Sequence, residues 1–282
     1  MKEKLFIIIS MFLLLACSNQ PIGEFKQKTD LEKIGAKGNI EYSTTLVCRS
    51  VVDSSGIEQG EIISKKELDS IGLYNPNITN TYNKYGNIIK REFLEQDKSI
   101  YQTITYEYDD NNRLKEYNVF EKSEKQSTSE VVYDKKGFIK KEIRYFTDGT
   151  YTTEYNHTRA NKNNIIETTI TLSIFKVRAA AKMIYEEDSI GILSHLTYMK
   201  GELTKGVYMQ RQNPDNHYIT QVKTLTEEKE IIENYKDIDF DEYGNYTKTY
   251  VYVRNSENEE LDESKLKYIL IRDIKYFNEI QN

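Results

Sequence analysis

The chain has 282 residues, a formal net charge of −6, 38% hydrophobic residues, and 23 tyrosines without a single tryptophan. A mildly acidic chain with no basic stripe has nothing to follow a phosphate backbone, which argues against nucleic acid as a partner. The apolar content is thin for a thick core and suits sheet surfaces on which tyrosine lies flat with its hydroxyl toward water.

Residues 1–16 read as a targeting segment. Lys2 and Lys4 precede an apolar run over residues 5–15, which is too short for a membrane span. The run ends Leu14-Leu15-Ala16-Cys17, which resembles the lipobox of bacterial lipoproteins. That resemblance implies cleavage before Cys17 and a diacylglycerol on its thiol, so contact with the membrane runs through the N-terminal lipid. Ser18 follows the cysteine where inner-membrane lipoproteins carry Asp, and this resembles outer-membrane sorting. The lack of an acidic cluster after Cys17 favours the periplasmic face. Residues 17–30 then form a polar tether, and residues 31–282 a single domain. With Cys17 lipidated only Cys48 keeps a thiol, so no intramolecular disulfide can form. Cys48 is expected as a buried strand residue.

Thr29-Asp30-Leu31-Glu32 spells a capping box, and Gly35 is placed to end the short helix it starts. A first strand follows from Ile40 through Cys48, and Val52-Asp53-Ser54-Ser55-Gly56 reads as a turn. Residues 57–80 read as irregular, with Pro76 a breaker.

From residue 82 one short phrase recurs: an aromatic, an Asp or Asn, then a glycine or asparagine three residues later. It appears as Tyr82-Asn83-Lys84-Tyr85-Gly86, Tyr108-Asp109-Asp110-Asn111-Asn112, Tyr133-Asp134-Lys135-Lys136-Gly137 and Phe240-Asp241-Glu242-Tyr243-Gly244. Gly accepts positive φ without steric cost and Asn is its best substitute, while the acid can bond the turn backbone. The phrase is therefore strand, tight turn, strand. The turn positions Gly86, Asn112, Gly137, Gly191 and Gly244 share a period near 26 or its double, with two copies eroded near Asn163 and Asn216. Polar clusters halfway between them, such as residues 95–99, 122–126 and 147–149, make each repeat an antiparallel hairpin. Residues 170–182 are the weak place, with no good turn residue between two strands.

Residues 82–254 resemble YD-repeat proteins, the family that includes Rhs shells, and more closely the short lipoproteins of the Gram-negative envelope that carry a few such repeats. Tyr-Asp is literal at 108–109 and 133–134 only. The chain shows no toxin domain, so the toxin activity of large Rhs proteins does not carry over. The expected fold is all-β: a long antiparallel up-and-down meander of hairpins, rolled into an open barrel, a spiral or two layers, because so many strands cannot stay in one flat sheet. The end strand at residues 268–274 is expected either to pair with the first strand and close a barrel or to meet a protein partner.

Chemistry is sparse. The three histidines, His157, His195 and His217, have no metal-ligand spacing. Asp237, Asp239 and Asp241 alternate like an acidic strand face rather than a calcium loop, because Glu242 stands where Gly would be needed. Asp69-Ser70-Ile71 and Asp188-Ser189-Ile190 match a weak O-glycosylation pattern. No nucleophile elbow, Walker loop or zinc-protease motif occurs, so neither enzyme activity, cofactor nor metal is expected. Tyr106, Tyr108, Tyr133, Tyr145, Tyr155, Tyr250 and Tyr252 recur at strand positions, as sheet-stabilising ladders or as a platform for sugars or peptides. The expected function is a lipid-anchored, non-enzymatic binding or scaffold module with a protein or glycan partner at a sheet edge or face. The alternative is a carrier that shelters a lipid in the rolled sheet. An inner face of Tyr and charge would favour binding; a continuous aliphatic one would favour the carrier.

Overall fold

The computed structural model describes residues 29–277 apart from 55, 72–76, 150, 161–164, 175–176, 188–191, 200–201, 212–218, 227–229 and 255–265. Cys17, Gly191, Asn163, Asn216, His217 and the Asp188-Ser189-Ile190 pattern lie outside the described residues. A short helix α1 (Asp30–Lys33) precedes two strands, β1 (Ile40–Asp53) and β2 (Gly56–Ile62), and a second helix α2 (Lys65–Ile71). Fifteen further strands complete the described chain: β3 (Ile78–Tyr82), β4 (Ile88–Leu94), β5 (Ile100–Tyr108), β6 (Leu114–Glu121), β7 (Glu124–Tyr133), β8 (Ile139–Phe146), β9 (Tyr151–Ala160), β10 (Ile165–Ile174), β11 (Val177–Glu187), β12 (Ile192–Met199), β13 (Glu202–Arg211), β14 (Ile219–Thr226), β15 (Glu230–Phe240), β16 (Tyr246–Arg254) and β17 (Leu266–Tyr276).

All the strands belong to one 17-stranded antiparallel sheet in which consecutive strands from β3 to β17 pair as hairpins. β1 joins the two ends of this meander. Its residues Tyr42 to Thr45 pair with Lys275 to Arg272 of β17 on one edge and with Thr81 to Ile78 of β3 on the other. Pairing therefore runs in a ring through every strand except β2, which pairs with the far half of β1. The all-β, rolled meander expected from the sequence is what the chain forms. Of the two outcomes expected for the end strand, pairing with the first strand is the one seen.

The repeated phrase is one turn, built four times. Gly86, Asn112, Gly137 and Gly244 have φ of 87°, 59°, 86° and 80°. In each turn the N–H at that position donates to the carbonyl of the Asp or Asn three residues earlier, as Gly137 does to Asp134 at 3.1 Å. The leading acid caps two more donors with its side chain. Asp109 Oδ1 accepts from the N–H of Asn111 (3.0 Å) and Arg113 (2.9 Å), and Asn83, Asp134 and Asp241 repeat the pattern. A one-residue register shift follows every copy, as between Glu107 and Tyr108. The leading tyrosine ties neighbouring repeats together. Tyr108 donates its hydroxyl to the Ile88 carbonyl at 2.7 Å, and Tyr133 to the Leu114 carbonyl at 2.8 Å. Both carbonyls belong to the residue two positions past the previous turn. The opposite end of the sheet uses a similar backbone at Lys98, with φ 66°, whose N–H donates to the Glu95 carbonyl, and at Gly149, with φ 68°, whose N–H donates to the Phe146 carbonyl.

The capping box of α1 is present, with Thr29 Oγ1 accepting from the Glu32 N–H and Glu32 accepting from the Thr29 N–H. This helix clamps two phrase turns. Asp30 accepts from the Ile88 N–H and Leu31 donates its N–H to the Gly86 carbonyl, while the following Lys37 exchanges backbone bonds with the Asn245 side chain. Leu31 packs with Ile40, Tyr82 and Ile88. α2 seats Leu68 with Ile63 against Val47, Val251, Tyr268 and Leu270.

Two expectations need correcting. Residues 57–80 are not irregular: they hold β2 and α2, the latter capped by Ser64, which accepts from the Glu67 N–H. The regular period-two pairing expected through the stretch of Asp237, Asp239 and Asp241 is interrupted, because register shifts fall between Lys236 and Asp239 and again between Asp239 and Phe240. Asp239 pairs with Lys248, whereas Asp241 serves the turn.

Candidate functional site on the inner wall

The sheet has a buried face and an exposed one, and the register separates them. In β7 the buried Ser127 and Ser129 alternate with the exposed Glu130 and Val132. The Ser129 face continues through the buried Thr153, and the core residues Val47, Tyr268 and Leu270 alternate in the same way. Both helices pack on this face, so it is the inside of the ring.

The outside is built for water. Glu107, Glu116 and Glu130 stand side by side across β5, β6 and β7, and the row continues through Ile143 to Glu154. A membrane-spanning barrel presents an outward apolar band about 25 Å tall, whereas here the outer face carries three glutamates side by side near the phrase-turn ends of β5, β6 and β7.

The inside along β5 to β9 is mixed: Ile104, Val119 and Phe146 share one row with Ser127, and the row beside it is polar. That row reads Tyr106, Tyr117, Ser129, Arg144, Thr153. The next places Glu142 beside Tyr155. Arg144 Nε donates to Ser129 Oγ at 3.2 Å and Nη2 to the Tyr117 hydroxyl at 3.0 Å. Its Cζ lies 5.6 Å from the centre of the Tyr117 ring and 6.0 Å from that of Tyr155, so two aromatic faces flank the cation. The Tyr117 hydroxyl donates to Glu142 Oε2 at 3.2 Å, and His157 Nε2 stands 3.4 Å from Glu142 Oε1. Burial works against the Arg144 charge, but the Tyr117 and Tyr155 hydroxyls and Glu142 outweigh it and hold the guanidinium above its ordinary pKa. Burial pushes the Tyr106 phenol up, with Arg91 acting the other way.

The sequence reading grouped seven tyrosines, and the structure divides them. Tyr106 and Tyr155 belong to the inner wall, Tyr108 and Tyr133 lock repeats, and Tyr145 points outward, 40% exposed. Tyr250 and Tyr252 lie beneath lysines, Lys248 and Lys236 respectively. Among the histidines, His157 joins the wall, while only the backbone of His195 is described, in β12. Cys48 is buried, and burial raises its thiol pKa. Asp69 of the Asp-Ser-Ile pattern lies in α2 and pairs with Lys65. Among the described residues no group of three or more His, Cys, Asp or Glu side chains gathers as a metal would require.

Sequence reasoning missed Tyr117, Glu142, Arg144 and Ser129 as a set. They come from β6, β7 and β8, and no spacing along the chain brings them together. The available signal was alternation in β8, where Glu142 and Arg144 share a face; what the sequence lacked was which face turns inward.

No protein-family model and no curated protein matches this chain. Among solved structures it is similar to a porin-like protein from Bacteroides uniformis, with a TM-score of 0.48 and 12% identity over 85% of this chain and 98% of that one.

Proposed function

We propose that the chain is an envelope protein of the outer membrane, anchored by a lipid on Cys17, whose ring of strands is a non-enzymatic binding module for a polar ligand. The observation that carries the binding reading is the inner wall of β5 to β9, where Tyr106, Tyr117, Glu142, Arg144 and Tyr155 interrupt the aliphatic lining that a lipid carrier needs. Lipids have no use for a guanidinium held by hydroxyls, since burying such a group against acyl chains costs several kcal/mol (roughly 2–7 for an unpaired polar group). The charged outer face supports attachment by a lipid rather than insertion of the ring. A partner at the ends of the meander has lost its edge, because β1 and β17 take up each other's backbone groups.

Two measurements test this. Cys17→Ala abolishes fatty-acid labelling and releases the protein from membranes; labelling that persists in the variant sinks the anchor. Full-length protein recovered from envelope extract carries glycan or peptide when its bound material is identified by mass spectrometry. Phospholipid as the sole bound species would replace the binding module with the carrier.

A further inference from the structure

Several described cations have carboxylates: Lys90 with Glu92, Arg113 with Asp109, Lys141 with Glu154, Lys223 with Glu230, Lys275 with Glu41, and Arg49, which shares the inner face with its strand partner Tyr268, with Glu67 of α2. Three other arginines on the inner face have no carboxylate within ion-pair distance among the described residues. Arg91 Nε donates to Asn80 Oδ1 at 2.8 Å. Arg272, only 8% exposed, lies 5.0 Å from the Tyr246 ring centre. Arg144 has the bonds to Ser129 and Tyr117 described above. In a chain with 45 Asp and Glu against 39 Lys and Arg, this absence is not a shortage of acids.

Arg144 is the most developed of the three. A guanidinium carries five N–H donors. Among the described residues Ser129 and Tyr117 take one from Nε and one from Nη2, which leaves the Nη1 and Nη2 end as a fork without a described partner. Such a fork matches the two oxygens of a carboxylate with paired, charge-assisted bonds. The side chain is fixed on two sides by hydrogen bonds and on two by rings, so little freedom is lost when a ligand arrives. The Tyr117 hydroxyl is saturated, since it accepts from Arg144 and donates to Glu142. Glu142 is the acid nearest the site, and it is turned to Tyr117 and His157 rather than to the guanidinium.

We infer that this inner wall binds an acidic saccharide, with a sugar carboxylate on this fork of Arg144 and sugar rings against Tyr117, Tyr155 and Tyr106. The inference rests on the binding module proposed above and names its ligand class. Aromatic faces suit the C–H faces of sugar rings, and the Tyr106 and Tyr117 rings, 6.0 Å apart, extend that surface along the row. An acidic peptide fits less well. Extended peptides gain affinity by pairing with a free sheet edge, and β5 to β9 each have a strand on both sides.

The test is titration calorimetry of the full-length protein in detergent with oligogalacturonate, with its fully methyl-esterified form, and with a polyglutamate peptide. Oligogalacturonate binds, and added salt weakens it. Esterification weakens binding by at least about tenfold, and Arg144→Gln weakens oligogalacturonate by a similar factor and the ester by much less. Arg144→Lys, which keeps the charge and loses the fork, falls between the two. Wild-type near-ultraviolet circular dichroism in both variants separates loss of the fork from loss of the fold. An ester that binds as tightly as the acid overturns the carboxylate site yet leaves the binding module standing. Polyglutamate binding as tightly as oligogalacturonate, no saccharide binding at all, or an Arg144→Gln variant with full affinity each overturns the inference.

Discussion

Two stretches of the same ring are built on opposite terms. Where β15, β16, β17 and β1 run together, buried apolar residues stand on both faces: Val47, Val251, Tyr268 and Leu270 inside, Cys48, Ile232 and Ile269 outside. Along β5 to β9 the fully buried side chains are small and polar, Ser127, Ser129 and Thr153, covered by larger neighbours such as Arg144. The first stretch obtains stability from area removed from water. The second draws on locks at the Asp109 and Asp134 turns, each an acid capping two N–H groups and a tyrosine hydroxyl reaching the preceding repeat. A ring so divided can hold its chemistry on the wall where packing makes the fewest demands on side-chain type.

The sharpest way to break this contrast is Leu270→Ala. Leu270 is 2% exposed and packs with Val47 and Leu68, so the expected loss is about 2–5 kcal/mol by chemical denaturation. Tyr145→Ala on the other wall, at a position 40% exposed, is expected to cost less than about 0.5 kcal/mol. Equal losses would show that the two walls are not built differently.

Acid is the next lever. Burial tends to raise Asp109 and Asp241, but the Arg113 side chain and N–H bonds in one turn, and the Tyr276 hydroxyl with the Asn245 and Tyr243 N–H groups in the other, bring both below the ordinary carboxylate value. A carboxyl whose folded pKa is lowered contributes stability that is complete above its unfolded value, near about 4, and is lost as pH falls through the folded value. The melting temperature should therefore fall below about pH 4, and Asp241→Asn should flatten that acid limb. A limb of unchanged slope in the variant would remove Asp241 from the account.

A more modest loss than that of Leu270→Ala is expected for Tyr133→Phe, which deletes one hydroxyl bond between repeats and should cost about 1 kcal/mol. It sharpens the comparison because the matching position of the last turn, Phe240, already lacks the hydroxyl and is 48% exposed.

The turns were legible in the sequence because their chemistry is local: the acid, the left-handed residue and the tyrosine sit within a few positions of one another. The capping box at Thr29 was legible for the same reason. Ser64-Lys65-Lys66-Glu67 spells the same signal before α2 and went unread, because the stretch around it lacks the alternation that marks the neighbouring strands. The interior could not be read. Alternation in β8 separates Glu142 and Arg144 from Ile143 and Tyr145, but a usual ordering would turn the aliphatic side inward, and here Tyr145 faces out while Arg144 is half-buried. Only long-range pairing decides the orientation, and that pairing depends on residues far apart in the chain.

The placement of β1 has a consequence for how the protein comes into being. Ile40 and Tyr276 are partners, so the seam joins the first strand to the last. Hairpins β3 to β17 can zip in order, each contact being local. The seam must wait for the final strand, and contacts between such distant residues form slowly because the loop between them has to be closed first. Until then the edges of β1 and β17 stand bare, and they include the apolar run Tyr268-Ile269-Leu270-Ile271. The interval between emergence and sealing is when this protein is most exposed to aggregation and most in need of a chaperone.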